Sequence, residues 1–120
     1  MSVRIVTGSQ LRGWLATGRR PWLVHASERA PFAAGHLPGA VAFPDLATAR
    51  AALLSDEVVV YGADGADRLA ASWGSALTGR AAATWWYRDG LREWCSVGAP
   101  VERPTWDPPV RPETGTVRRS

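Results

Sequence analysis

Lysine is missing from the 120 residues, so all fourteen basic side chains are arginine. Cysteine occurs once, at Cys95, which excludes an internal disulfide and leaves too few thiols for a zinc site. No apolar run approaches the roughly 20 residues that a membrane-spanning helix needs, and the first residues, MSVRIVTGSQ, lack the apolar stretch of a secretory signal. A cytoplasmic protein with no membrane association is therefore expected. Charge of one sign is also scarce. Up to Glu102 there are ten arginines against nine acids, a surplus of one; the remaining surplus lies in the last residues, with Arg103, Arg111, Arg118 and Arg119 against Asp107 and Glu113. Nucleic-acid binding through a basic face is not expected, because phosphate recognition requires clustered positive charge.

What is present fits one compact domain. The length suits a single domain and leaves no room for a second. At 46% hydrophobic and 21% charged residues the chain has ordinary globular composition, and it is long enough to bury a core without staples. We expect a folded domain over residues 1–102. Residues 103–120, with four prolines, arginines and no apolar periodicity, have a composition that predicts a flexible tail. Trp106 within that tail is either a loose attachment to the domain or a contact for a peptide partner.

Hydrophobic periodicity sets out alternating elements. Val3–Val6 reads as a first strand, followed by a helix capped by Thr7 or Ser9, with Leu11, Trp14 and Leu15 on one face and Gly18 as its stop. Trp22–Ala26 is a second strand and Glu28–Ala34 a short helix closed by Gly35. Gly35-His36-Leu37-Pro38-Gly39-Ala40 is a turn-rich loop, and Val41–Phe43 a brief strand. A helix begins at Pro44 or Asp45 and runs through Leu54. Glu57–Tyr61 holds Val58-Val59-Val60, a buried strand, and the loop from Gly62 to Asp67 leads into a helix over Arg68–Leu77 ended by Gly79. Ala82–Trp86 and Leu91–Val97 complete the pattern as strand and helix. Such alternation predicts an α/β fold with a mostly parallel sheet covered on both faces. Its ligand crevice lies beyond the carboxyl ends of the strands. That rule gathers His25–Ser27, Gly62–Asp67 and Tyr87–Gly90 around one place.

Three motifs in this order resemble the rhodanese-like family. The strand Leu23-Val24-His25-Ala26-Ser27 with Phe32-Ala33-Ala34-Gly35-His36-Leu37-Pro38-Gly39-Ala40 is similar to an apolar strand, Asp-x-Arg, an aromatic and Gly-His-Ile-Pro-Gly-Ala. Val58-Val59-Val60-Tyr61-Gly62-Ala63-Asp64-Gly65 resembles the strand and active-site loop, usually Val-Val-Tyr-Cys-x-x-Gly-x-Arg. Asp89-Gly90-Leu91-Arg92-Glu93-Trp94 and Gly98-Ala99-Pro100-Val101 are similar to the closing Gly-Gly-x-x-x-Trp and Gly-x-Pro-Val. The resemblance spans about Val3 to Glu102. It implies a three-layer fold with a central, mostly parallel, five-stranded sheet and helices on both faces. It also implies sulfur transfer through a cysteine persulfide, held in a loop whose backbone N–H groups point inward.

At the site the sequence departs from that pattern. Gly62 stands where the cysteine is expected, and a hydrogen side chain forms no persulfide. Asp67 replaces the loop arginine and Asp64 adds a second carboxylate, which is expected to repel anions; Arg68 follows one position late. His25 replaces the usual aspartate and Ser27 the usual arginine. The former active-site loop is thus Gly62, Ala63, Asp64, Gly65, Ala66, Asp67 and Arg68, with His25, Ser27, Trp86 and Tyr87 as candidate pocket residues.

These departures predict a degenerate module, without catalytic residues, cofactor or metal, that binds a protein partner or itself. Two alternatives stay open: a persulfide carrier using Cys95, and a small-ligand sensor in the room left by the missing thiol. Each residue also has a plainer role. Cys95, four residues after Leu91, fits core packing, and His36 fits a turn histidine bonded to backbone. His25 suits a structural hydrogen bond better than acid–base work, though both are open. Asp64 and Asp67 suit an exposed turn with Asp67 as a helix cap. The seven tryptophans leave two readings level. Trp85-Trp86-Tyr87 either packs the core, with Trp86 or Tyr87 filling former substrate space, or forms a docking surface.

Overall fold

The computed structural model describes residues 3–53, 57–79, 81 and 83–103. β1 (Arg4–Ile5) leads into α1 (Gly8–Ala16), and β2 (Trp22–His25) into a 3-10 turn at Phe32–Ala34. α2 (Leu46–Ala52), β3 (Glu57–Tyr61), α3 (Arg68–Leu77), β4 (Ala83–Tyr87) and α4 (Gly90–Ser96) follow. The strands form one sheet in the order β1-β4-β3-β2, and each pairing is parallel. Among the described residues the sheet has four strands, not five. The segment expected as a strand at Val41–Phe43 contributes one bridge, Val41 to Val24, before Pro44, which has no N–H to extend the pairing.

Alternation along β3 builds the three layers. Val59 and Tyr61 face a cluster with Leu11, Leu23, Leu37, Tyr87 and Trp94, beneath α1 and α4. Val58 and Val60 face Ala49, Leu53, Ala70, Trp73 and Leu77, beneath α2 and α3. Val58, Val59, Val60 and Tyr61 are wholly buried, so successive side chains feed opposite cores, as the period of two requires. Of the alternatives for the first helix, Thr7 is the cap. Its hydroxyl accepts from the Gln10 N–H and the Gln10 side chain accepts from the Thr7 N–H, a complete capping box. Asp45 caps α2 by accepting from the Thr48 N–H at 2.7 Å. The helix expected to reach Leu54 ends at Ala52, and Leu54 itself lies outside the described residues.

The helix expected over Glu28–Ala34 shrinks to the 3-10 turn. Ser27 Oγ accepts the N–H groups of Arg29 and Ala30, drawing the chain into a side-chain turn, and Pro31 cannot continue a helix from it. No helix among the described residues is long and apolar enough to cross a membrane. The flexible tail expected over residues 103–120, with Trp106, lies outside the described residues except for Arg103.

Candidate active-site loop

The sheet register aligns the three segments that the strand-end rule gathers. His25 pairs with Tyr61 and Tyr61 with Tyr87, so all three following loops leave the sheet at one level. Gly62 is buried and starts the central loop. The Gly62 and Ala63 carbonyls accept from the Leu91 and Arg92 N–H groups, each at 2.9 Å, so the loop caps the start of α4. An open crevice of about 360 Å³ above it is lined by Asp64, Gly65, Asp89, Arg92, Glu93 and Ser96.

Asp67 takes the place that a side chain at position 62 would occupy. A Cβ built on Gly62 would lie 2.8 Å from the Asp67 Cγ and Oδ2 and 3.0 Å from its Cβ. The carboxylate accepts from the Ala63 N–H at 3.0 Å, from the Leu69 N–H at 3.3 Å and from the Ser27 hydroxyl. Asp67 is 2% exposed. Burial alone would push its carboxyl upward, but the bonds from Ala63, Ser27, Leu69 and Glu28 outweigh it and hold the group below the ordinary carboxylate range. Asp67 caps α3, as expected, but in a buried position rather than an exposed turn. It fills the loop's interior instead of only repelling anions from it. The room postulated for a sensed ligand is therefore taken. Asp64 is half-buried, accepts from the Ala66 N–H at 2.9 Å and pairs with Arg29. Arg68, the first residue of α3, is exposed, as are Gly65, Arg88 and Asp89.

His25 is buried and tied into the fold through both ring nitrogens. Its Nε2–H donates to the Ala30 carbonyl; its Nδ1 accepts from the Tyr61 hydroxyl at 2.9 Å, which itself accepts from the Leu37 N–H at 3.0 Å. Every polar atom of this buried chain has a partner when the ring is neutral. Burial lowers the His25 pKa from 6.5, against the opposing pull of the Ala30 carbonyl. A base with a depressed folded pKa imposes no pH dependence while both states are neutral. Below about 6.5 the unfolded chain takes up a proton that the folded ring refuses, so stability falls by at most about 1.4 kcal/mol per pH unit. Denaturant midpoints measured from pH 7.5 to 5 are expected to decline below pH 6.5 in the native chain, and His25→Gln to flatten that decline. Equal slopes would refute the assignment. His36 behaves as a turn histidine: Nδ1–H donates to the Phe32 carbonyl at 3.0 Å and the ring stacks on Phe32.

Three expectations need correction. Trp86 is not a crevice residue. It faces the α2–α3 core, with its Cβ near Gly74 of α3, because it is one residue out of phase with Tyr87 on the strand. Tyr87 lies on the loop side but is wholly buried, donating its hydroxyl to Glu93, which Arg12 clamps with two bonds of 3.0 Å. The aromatic run is tied into the fold but not wholly covered: Trp85 and Trp86 are half-buried, and Trp85 stands edge-on to Trp14 at 5.0 Å and donates to Glu57. Cys95 is exposed rather than buried. The apolar side of α4 centres on Gly90 and Trp94, with Leu91 at its margin; at about 100° per residue, Cys95 falls beyond that margin. It also misses the crevice side, which runs through Arg92, Glu93 and Ser96.

This parallel three-layer sheet with a strand-end loop closed by α4 is the architecture of a rhodanese-like domain. The chain belongs to the rhodanese-like domain family, whose pattern matches residues 7–97. Among solved structures it is similar to the thiosulfate sulfurtransferase from Pseudomonas aeruginosa, at 18% identity and a TM-score of 0.65, over 84% of this chain and 19% of the enzyme. The chain thus spans about a fifth of that protein. It is also similar to the rhodanese-like domain of an Anabaena sp. protein, at 23% identity and a TM-score of 0.62, over 100% of this chain and 91% of that one. No curated protein matches the chain.

Proposed function

We propose that this domain is a non-catalytic rhodanese-like module that acts by binding a protein, either a partner or a second copy. The observation that carries the reading is the pairing of Gly62 with Asp67: the position for the sulfur carrier has no side chain, and the surrounding donors already hold a carboxylate. Sulfur transfer needs a thiolate there. Around this loop the exposed residues Gly65, Arg68, Arg88, Asp89 and Arg92 form a rim open to recognition. An unpaired, exposed thiol suits a reducing compartment such as the cytoplasm.

A thiosulfate-to-cyanide assay is expected to show no turnover above the uncatalysed rate. Affinity capture from the source cell is expected to retain a specific protein that is lost with Arg68→Glu/Arg92→Glu. Turnover would overturn the reading. The exposure of Cys95 keeps a second reading in play, a persulfide carrier on α4. It requires added sulfur on Cys95 by mass spectrometry and loss of any transfer in Cys95→Ser.

A further inference from the structure

A second cavity, of about 280 Å³, opens on the α1 side of the sheet, lined by Leu15, Arg20, Pro21, Leu23, Pro38 and Gly39. It shares no residue with the crevice above the Gly62 loop. Leu15, Pro21, Leu23 and Pro38 make it apolar, and Arg20 is the charged residue of its lining. A cavity of about 150 Å³ admits a benzene ring, so this one has room for a bicyclic indole. Arg20 is held in place by its Nη1, which donates to the Leu15 and Arg19 carbonyls at 2.8 and 3.0 Å. Among the described residues no carboxylate pairs with it. Beyond Glu102 the chain leaves the domain beside this cavity. His36 and Glu102 exchange backbone bonds of 2.9 and 2.7 Å, and the Glu102 carboxylate accepts from the Gly39 N–H at 2.9 Å. Gly39 thus anchors the departing chain and also lines the cavity. Trp106 comes four residues after Glu102, at most about 14 Å away when extended. Asp107 and Pro108 follow it. We propose that Trp106-Asp107-Pro108 docks back into this cavity, with the indole among Leu15, Pro21, Leu23 and Pro38 and the Asp107 carboxylate on Arg20.

This assignment uses a face that the partner-binding reading does not, and it stands or falls separately from it. The segment matches the cavity in shape and charge. An indole offers a large apolar body and a polar N–H, which suits a half-open site with one wet side. Asp107 brings the charge opposite to that of Arg20. Pro104, Pro108 and Pro109 restrict the free segment, so less conformational freedom is lost on docking. The tether is short as well. A short flexible linker gives an effective concentration in the millimolar range, so even a contact of millimolar affinity is populated. Of the two roles open to Trp106, the cavity assigns it attachment to its own domain.

Nuclear Overhauser spectra of the full chain at pH 7 provide the test. Cross-peaks from the Trp106 ring to the Leu15 and Leu23 methyl groups are expected, and they need no variant. In Trp106→Ala the amide signals of Leu15, Leu23 and Gly39 should shift while those of Val58, Val59 and Val60 stay in place. Arg20→Glu should lower the docked-to-free ratio about two- to fivefold, read from the Gly39 amide as it moves toward its Trp106→Ala position. The charge-swapped pair Arg20→Glu/Asp107→Arg should bring the signal back. Absent cross-peaks together with unmoved amides in Trp106→Ala overturn the proposal and leave the cavity to an external ligand. Cross-peaks that arise only between differently labelled chains in a mixed sample also overturn it, because the occupant is then a second copy. A Gly39 signal that the charge swap fails to restore overturns the seating of Asp107 on Arg20.

Discussion

Gly62→Cys, the substitution that would restore the family's nucleophile, is expected to destabilise the domain and yield no sulfurtransferase. The backbone at position 62 is not the obstacle; the Asp67 carboxylate is. A cysteine Cβ would sit 2.8 Å from its Cγ and Oδ2, and the sulfur would reach further into the same space. Overpacking a closed site costs about 1–3 kcal/mol, and displacing Asp67 would also strip the cap from α3, worth about 1 kcal/mol. The single variant should therefore lose about 3 kcal/mol in urea unfolding. Adding Asp67→Gly should make the pair less damaging than the sum of the two, by about 1–3 kcal/mol of coupling. In that double variant the new thiol would face the Ala63 N–H and the start of α3, donors that favour thiolate. Alkylation followed against pH should then show the introduced thiol reacting at lower pH than an ordinary cysteine thiol. A Gly62→Cys protein as stable as the native chain and active on thiosulfate would sink the argument.

The missing thiol and the two loop acids were legible in the sequence because each is a matter of residue type at a position set by a strand end. Where the carboxylates point was not. Asp64 and Asp67 look alike three residues apart, and only the turn closed by the Asp67 N–H on the Asp64 carbonyl sends one inward and the other to Arg29. Glu57–Tyr61 and Arg68–Leu77 were readable to the residue. Three consecutive β-branched valines in a short run closed by Gly62 favour a strand over a helix by length and residue type, and a cap before an amphipathic helix marks its start. Cys95 shows the limit of spacing rules on a helix of seven residues. Its relation to Leu91 is correct, but Leu91 is itself marginal, so the stripe could not be centred without knowing that Gly90 packs on the loop. The hydroxyl of Tyr61 had no sequence signal at all: its partners, His25 and Leu37, come from two other segments.

Gly90→Ala is expected to be the most damaging small substitution on the loop side. Gly90 has φ +67°, a conformation that costs a residue with a Cβ about 1–2 kcal/mol. A Cβ there would also press inside van der Waals contact of the Gly62 carbonyl oxygen and lie 3.1 Å from the carbonyl carbon and oxygen of Ala63. All of these are backbone atoms, so no side-chain rotation relieves the clash. The loop must separate from α4, and with it go the bonds from the Leu91 and Arg92 N–H groups. Together these effects should remove about 3–5 kcal/mol of stability, a large share of the margin of a small domain. Gly98→Ala provides the internal reference: φ is +76° but nothing lies within 4 Å of its Cβ, so only the backbone cost of about 1–2 kcal/mol applies. The difference between the two urea midpoints isolates the close approach of loop and helix. Amide exchange should concur, with Leu91 and Arg92 losing protection in Gly90→Ala alone. If both alanines cost the same, the tight contact between Gly62 and Gly90 has no energetic consequence, and the loop is not held in shape by α4.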